Sequence, residues 1–290
     1  MLRGDLHFHS FYSDGELTPN ELVKRLKDKN IDIACLTDHD TILGSEEFIR
    51  ACEKEGIVSF PSLELSTYRN DEPIHVLAYF KSLDSISDEF KEYLNEMKTK
   101  RYERMKKLVD NVNKIYDLGI DFKDVEKLQP NMLERPHLAK IISQKLNITN
   151  KEVFDKYIGN DNVAFIPSTR LDTKEGIDMI HKAGGLAILA HPYQYKKNIP
   201  LDLMELGLDG IEVYYFPASP KGYKLYKKYC EKHDLIITGG SDFHREIDEK
   251  HAYIGSGEYT SPFIEKFIEK VNSLWLEEPK LKIYLKLIIY

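Results

Sequence analysis

The chain has 290 residues, 42% of them apolar and 31% charged, with 13 Phe and 18 Tyr; this composition excludes a disordered polypeptide and suffices for one large domain or two smaller ones. Lys and Arg total 41 against 48 Asp and Glu, a formal net charge of −7, so the surface as a whole repels phosphate backbones and a duplex-DNA-binding module is disfavoured. Cys35, Cys52 and Cys230 show no CxxC spacing, which argues against a disulfide framework or a thiolate zinc site; with no apolar leader and no run of about 18 apolar residues, the expectation is a cytoplasmic protein without a membrane partner.

Short apolar runs alternate with amphipathic segments, the pattern of repeated β-α units. Strands are expected over residues 2–8, 31–36, 58–63, 75–80, 186–189, 210–214 and 235–238, and residues 252–254 read as a further strand or a loop. Thr18, Pro19 and Glu21 form a capping-box signature that predicts a helix to about residue 29, and Ser45, Thr173 and Ser219 are further candidate helix starts. Residues 84–116 carry one long helical pattern, with Phe90, Tyr93, Leu94, Met97, Met105, Leu108, Val109 and Val112 near i, i+3, i+4 spacing. Shorter helical patterns follow over 136–146 and 150–157, without a strand. The expected organisation is an α/β scaffold built from residues 1–94 and 166–290, interrupted by a helical insertion over 95–165. Residues 280–290 fit an edge strand and a packed helix equally well.

The chemistry sits where those strands end. His7 and His9 close the first strand in HFHS, and the period of two puts both rings on one face. Asp38 and His39 close the second in TDHD, Glu64 the third, and His191 follows LAILAHP. Asp242 and His244 follow ITGGSDFH. His75 is the exception, because it opens its predicted strand; either that boundary is wrong or the preceding loop brings it over the barrel mouth. In a β/α barrel the active site is assembled at the C-terminal mouth from several strand ends. A lone His-x-His is a weak signal, since one histidine beside an apolar strand is commonly a packed core residue. Here six of the ten histidines join Asp14, Glu64 and Asp242, and burying so many ionisable groups together is very costly unless cations offset it. Imidazole and carboxylate without thiolate suit Mn, Fe or Zn in a hydrolytic role, and this donor set exceeds what one ion can take.

HFHSFYSDG, LTDHDT, the Glu of PSLELS, the His of EPIHVLAY, AHPY and GGSDFH together resemble the PHP (polymerase and histidinol phosphatase) family of metal-dependent phosphoesterases. That resemblance implies an α/β fold, a distorted seven-stranded β/α barrel with a trinuclear centre of divalent transition metals at its mouth. His7, His9, Glu64 and Asp242 would hold one metal. Glu64 would bridge to a second held by His75 and His191, while Asp14, His39 and His244 would hold the third. Asp14, where other branches carry histidine, and the helical insertion resemble the branch of nucleoside 3′,5′-bisphosphate phosphatases and 5′-to-3′ exoribonucleases. The implied activity is hydrolysis of a nucleotide phosphate ester, the 3′-phosphate of a nucleoside 3′,5′-bisphosphate or short single-stranded 5′-phosphorylated RNA. Two metals would share the attacking hydroxide and the third would neutralise phosphoryl oxygens. Asp38 and Asp40 are candidates to orient ligands.

The insertion carries MKTKRYERMKK over 97–107, six basic residues against one acidic, which is either a solvated helix face or part of an anion site. Arg135 and His137, in RPHLA, resemble the branch's contact to the substrate's non-scissile phosphate, and an Arg fork suits phosphate. Arg101, Arg104 and Arg170 are further substrate-binding candidates, as is Tyr193 beside the AHP turn. Gly184-Gly185 reads as a helix C-cap and Gly239-Gly240 as a site of close backbone approach. His181, His233 and His251 read as surface groups, and Trp275 with the tyrosines of 214–229 as packing. The rival readings are a histidinol-phosphate phosphatase, disfavoured by the insertion, and a non-catalytic nucleic-acid-associated PHP module, disfavoured because every ligand position is filled.

Overall fold

In the computed structural model the described residues are 1–128, 132–167, 171–195, 203–215, 220–246, 251–256 and 259–274. Strands β1 (Gly4–Asp5) and β2 (Ile33–Ala34) pair in parallel. Strands β3 (Ser62–Arg69), β4 (Glu72–Tyr79), β5 (Leu186–Leu189), β6 (Gly210–Tyr215) and β7 (Ile236–Gly240) form a second sheet in that order. Regular pairing therefore gives a five-stranded and a two-stranded sheet, in place of the single seven-stranded ladder expected from the sequence. Isolated bridges join the two sheets at both seams, Phe8 to Phe243 on one side and His39 to Glu64 on the other.

The expected run of parallel units breaks at β4, which is antiparallel to both β3 and β5, whereas β5, β6 and β7 run parallel. The connection between β3 and β4 is a two-residue hairpin at Asn70 and Asp71, both at positive φ (50° and 62°), the backbone that a type I′ turn requires and that Asn and Asp tolerate. The third strand consequently runs on to Arg69, and the fourth starts at Glu72 and not at His75.

Helix α1 (Pro19–Asp28) starts at the expected capping box, with Thr18 accepting from the Glu21 N–H. Helix α2 (Ser45–Glu55) starts behind Gly44 and makes no side-chain cap. Together α1 and α2 pack Leu22, Val23, Leu26, Phe48 and Cys52 against Ala34 of β2 and against Phe8, which follows β1. Helix α3 (Asp88–Tyr116) spans 29 residues and crosses the expected boundary at 94/95. Its first turns, Phe90 and Leu94, pack on β3, β4 and β5 together with helix α7 (Thr173–Lys182), which is capped by Asp172. Its later turns, from Met105 to Val112, join a separate cluster with Val125, Leu138, Ile142 and Val153. Those residues come from α4 (Phe122–Leu128), α5 (Arg135–Leu146) and α6 (Asn150–Val153). A π-helical turn, Phe154–Ile158, follows α6 directly. Helix α8 (Pro220–His233) covers β6 and β7, and α9 (Phe263–Leu274) closes the inner core against Tyr79 and Ile188.

Alternation along the five-stranded sheet separates two faces. Leu65, Val76, Ala187 and Leu189 pack outward beneath the helices. Leu77, Tyr79, Ile188 and Ile236 fill the interior, and Glu64, His75 and Glu212 lie on that interior side by the same period. Residues 252–254 form no strand. Ser219, Trp275 and 280–290 lie outside the described residues, and no described helix is long and apolar enough to cross a membrane.

Candidate metal centre

Reversal of β4 explains His75. Because β4 runs against its neighbours, its N-terminal half lies at the end of the sheet where the parallel strands finish, and His75 pairs with Ser66 of β3 in register. The histidine that opened its predicted strand is thereby brought to the same mouth as the others.

Glu64 is the hub. Its Oε2 lies 3.2 Å from His7 Nε2, 3.1 Å from His9 Nε2 and 3.3 Å from His39 Nδ1, and its Oε1 lies 2.9 Å from both His75 Nδ1 and His191 Nε2. A carboxylate offers about four lone-pair sites, so it cannot satisfy five ring N–H donors, and ring lone pairs facing it are repelled. The Nδ1 atoms of His9, His39, His75 and His191 are buried and make no hydrogen bond. A donor set with nitrogen lone pairs aimed at buried carboxylates fits divalent cations.

The donors group around more than one point. His7, His9, Glu64 and Asp242 offer atoms within 4.8 Å of one another, as do His9, Asp14, His39 and His244, and as do His39, Glu64 and His75. Asp14 lies 3.3 Å from His244 Nε2 and 3.8 Å from His9 Nδ1. Burial works against charge on every one of these groups, yet Asp242 and Glu64 raise His9 to about 10, and Glu212, Asp242 and Glu64 hold His7 well above its usual value. Burial pushes His39 down to about 4. Against burial, histidines His39 and His7 hold Glu64, and His7 and His9 hold Asp242, well below the usual carboxylate range. The mouth thus buries carboxylates that stay ionised beside imidazoles, a donor set that suits a cation.

Backbone geometry at the mouth is special. Asp40, His191 and Asp242 have positive φ (50°, 26° and 52°) although none is glycine, a conformation that persists only where surrounding contacts enforce it. Gly240 meets the expected close approach: a Cβ there would stand 2.4 Å from His7 Cβ and 2.6 Å from His7 N. Asp38 accepts from Ser10 N and Oγ and from Ser13 Oγ, fixing the loop that follows His9.

The remaining candidates divide. Arg101 donates to Asp40, Glu134 and Ser66, tying α3 to the loop that carries His39. Arg104 donates to Ile166 O, and Arg135 to Asn160 Oδ1 and Ile158 O. His137 accepts the Glu134 N–H through Nδ1, and burial lowers it to about 4 although Asp14 acts in the opposite sense. Tyr193 donates to Val213 O and packs among Tyr215, Tyr223 and Tyr226. Arg170 lies outside the described residues. His251, expected at the surface, instead stacks on His244 at 4.3 Å and approaches Asp242 at 3.7 Å. His181 pairs with Asp209, and His233 stacks on Tyr229.

Sequence reasoning missed Glu212 and Tyr215. Tyr215 donates to Asp242 Oδ2, and Glu212 contacts His7 and His191. The available signal was one carboxylate inside the apolar run GIEVYY.

The sequence profile of the PHP domain matches residues 5–157. The chain is 30% identical to a 5′-3′ exoribonuclease of Haemophilus influenzae, over 83% of this chain and 89% of that protein. It is 27% identical to a 3′,5′-nucleoside bisphosphate phosphatase of Chromobacterium violaceum, over 84% and 88%. The fold superposes on a proposed metal-dependent phosphoesterase of Bifidobacterium adolescentis with a TM-score of 0.80 at 24% identity, covering 92% of this chain and 96% of that one.

Proposed function

This chain belongs to the PHP domain family and is a metal-dependent phosphoesterase, a phosphoric ester hydrolase, and from that premise we propose that it acts on nucleotides. Its substrate is a nucleoside 3′,5′-bisphosphate, from which it removes the 3′-phosphate, or short single-stranded 5′-phosphorylated RNA. The observation that carries this reading is a pair of guanidiniums, Arg104 and Arg135, held over one aromatic ring. Arg104 and Arg135 both lie over the ring of Phe165, and burial together with Arg135 lowers Arg104. Two half-buried guanidiniums on one ring repel each other, and an anionic group between them relieves that repulsion.

The motifs imply three divalent ions, Mn, Fe or Zn; the first and third implied sets lie within groups whose donors stand within 4.8 Å of one another, whereas the second is supported by the 2.9 Å approach of both His75 and His191 to Glu64 Oε1. His7, His9, Glu64 and Asp242 would hold the first, Glu64, His75 and His191 the second, and Asp14, His39 and His244 the third. Bound divalent metals supply a nucleophilic water at neutral pH and charge for the phosphoryl oxygens. The chain's own residues do the rest. Arg135 offers its fork to the phosphate that is not cleaved. His137, which burial lowers to about 4 although Asp14 acts in the opposite sense, stands in the first turn of the same helix as Arg135 and is a second candidate contact to that phosphate. Arg101 holds the insertion against the His39 loop through Asp40.

The insertion, residues 95–165, is a substrate-binding unit on the scaffold formed by 1–94 and 166–290, a division supported by its own hydrophobic cluster. The bridges at both seams support reading the two sheets as a distorted seven-stranded barrel. Free, buried cysteines suit the cytoplasm.

Parallel assays with added Mn²⁺ on adenosine 3′,5′-bisphosphate, a 5′-phosphorylated RNA oligomer and histidinol phosphate test the reading. Turnover of either of the first two above histidinol phosphate supports it. Preference for histidinol phosphate replaces it with the amine-bearing monoester, and no turnover by metal-loaded protein replaces it with a non-catalytic role.

A further inference from the structure

Strand β6 lies between two strands whose ends carry proposed ligands, β5 before His191 and β7 before Asp242, yet it supplies none of the donor groups. What it supplies is Glu212. Ile211 and Val213 point outward beneath α8, so the period of two sends Glu212 inward, where it is fully buried. A carboxylate inside an apolar strand is costly unless both oxygens are engaged. Here they are engaged by two groups from different parts of the centre. His7 Nδ1 lies 3.0 Å from Oε1 and 3.1 Å from Oε2, and the backbone N–H of His191 donates to Oε2 at 2.8 Å.

We infer that Glu212 is a positioning residue of the metal centre: it holds His7 as the Nδ1–H tautomer, leaving Nε2 as the ligand atom, and pins the His191 backbone that presents a second ligand. The inference rests on the metal-centre reading above. A neutral imidazole has one N–H and one lone pair, so the proton that Glu212 accepts a hydrogen bond from at Nδ1 decides where the lone pair points. Nε2 of His7 is the atom that faces the cluster, 3.2 Å from Glu64, 3.3 Å from Asp242 and 3.3 Å from His9 Nε2. The same carboxylate stabilises an unfavourable backbone: His191 sits at φ 26°, ψ 60°, and its ring Nε2 is 2.9 Å from Glu64 Oε1. One side chain thereby sets the ring state of a ligand on one side of Glu64 and the main-chain path of a ligand on the other. An apolar residue would fill the space between Ile211 and Val213 as well, but it would do neither.

Glu212→Gln tests this, because both carboxylate oxygens face His7 Nδ1, at 3.0 Å and 3.1 Å, so in either orientation the amide sets an NH₂ group against the Nδ1–H and disfavours that tautomer. Mn²⁺ titration of metal-free protein is expected to show about 10–100-fold weaker binding in the variant, and Co²⁺ substitution an altered visible absorption spectrum, with unchanged far-ultraviolet circular dichroism. Wild-type Mn²⁺ affinity and an unchanged Co²⁺ spectrum in Glu212→Gln overturn the assignment. If the variant does not fold, ¹⁵N NMR of the wild-type His7 ring decides: in the metal-loaded protein a protonated Nδ1 and a metal-bearing Nε2 support it, and metal on Nδ1 refutes it. Wild-type protein that binds no Mn²⁺ removes the metal-centre reading itself, whereas wild-type binding with an indifferent Glu212→Gln removes only the role of Glu212.

Discussion

Arg104 and Arg135 share an aromatic platform, their guanidinium carbons 5.9 Å and 5.2 Å from the centroid of Phe165. One comes from α3 and the other from the first turn of α5, so the ring joins two helices of the insertion around a pair of like charges. Arg135→Ala is expected to raise KM for a nucleoside 3′,5′-bisphosphate by roughly 10–100-fold, the worth of a charge-assisted hydrogen bond of about 1.5–3 kcal/mol, while KM for p-nitrophenyl phosphate changes little. Equal effects on both substrates would show that the insertion does not read the second phosphate.

Glu64 touches five imidazoles, and its removal should dismantle more than one ion position. Glu64→Gln keeps the shape and removes the charge, so elemental analysis is expected to show loss of more than one equivalent of metal, with hydrolysis falling by at least about a thousandfold. Chelation of the native protein should abolish activity and Mn²⁺ should restore it. Full activity after chelation would refute metal dependence.

Gly240 leaves no room for a side chain beside His7. Gly240→Ala forces β7 away from the first strand at the point where Asp242 N donates to His7 O, and overpacking of this kind costs about 1–3 kcal/mol. Its φ is not in the left-handed region, so the effect is steric and not conformational. Thermal unfolding should register the loss, and metal affinity should fall with it; a variant with native affinity and stability would contradict the close approach.

His181 and Asp209 form an ion pair remote from the metal centre, with Nε2 2.9 Å from Oδ2. The hydrogen bond to Asp209 raises His181 above its ordinary value of 6.5. Because the folded-state value is the higher one, the pair stabilises fully below about pH 6.5, and the contribution is lost as pH rises through the raised value. Both groups are partly exposed, so the effect is small. His181→Asn should lower the melting temperature more at about pH 5.5 than at about pH 9, and a pH-independent difference would assign its cost to packing alone.

The depth of legibility differed by residue. His7, His9, His39, Glu64, Asp242 and His244 were readable because their spacing relative to apolar runs survives in one dimension, and the structure brings them together. His75 was readable as a residue but not as a position, since strand direction depends on the Asn70-Asp71 turn, whose significance was hidden by the stronger β-α rhythm. His251 was misread because its stacking on His244 is a tertiary contact that no local pattern marks. Glu212 was passed over because a single carboxylate in an apolar strand carries no pattern, and its meaning comes from His7, which lies 205 residues away.

The sequence by itself determined the donor chemistry, the alternation of core segments and the run of helices that follows the fourth strand, all of which are local properties of residue type and period. Only the tertiary structure decided that regular pairing among the described residues gives sheets of five strands and two, that β4 runs backwards to deliver His75, and that Glu212 stands behind His7 and His191. These depend on strand order, register and close backbone contact between distant segments, and no local pattern encodes which buried group will meet which.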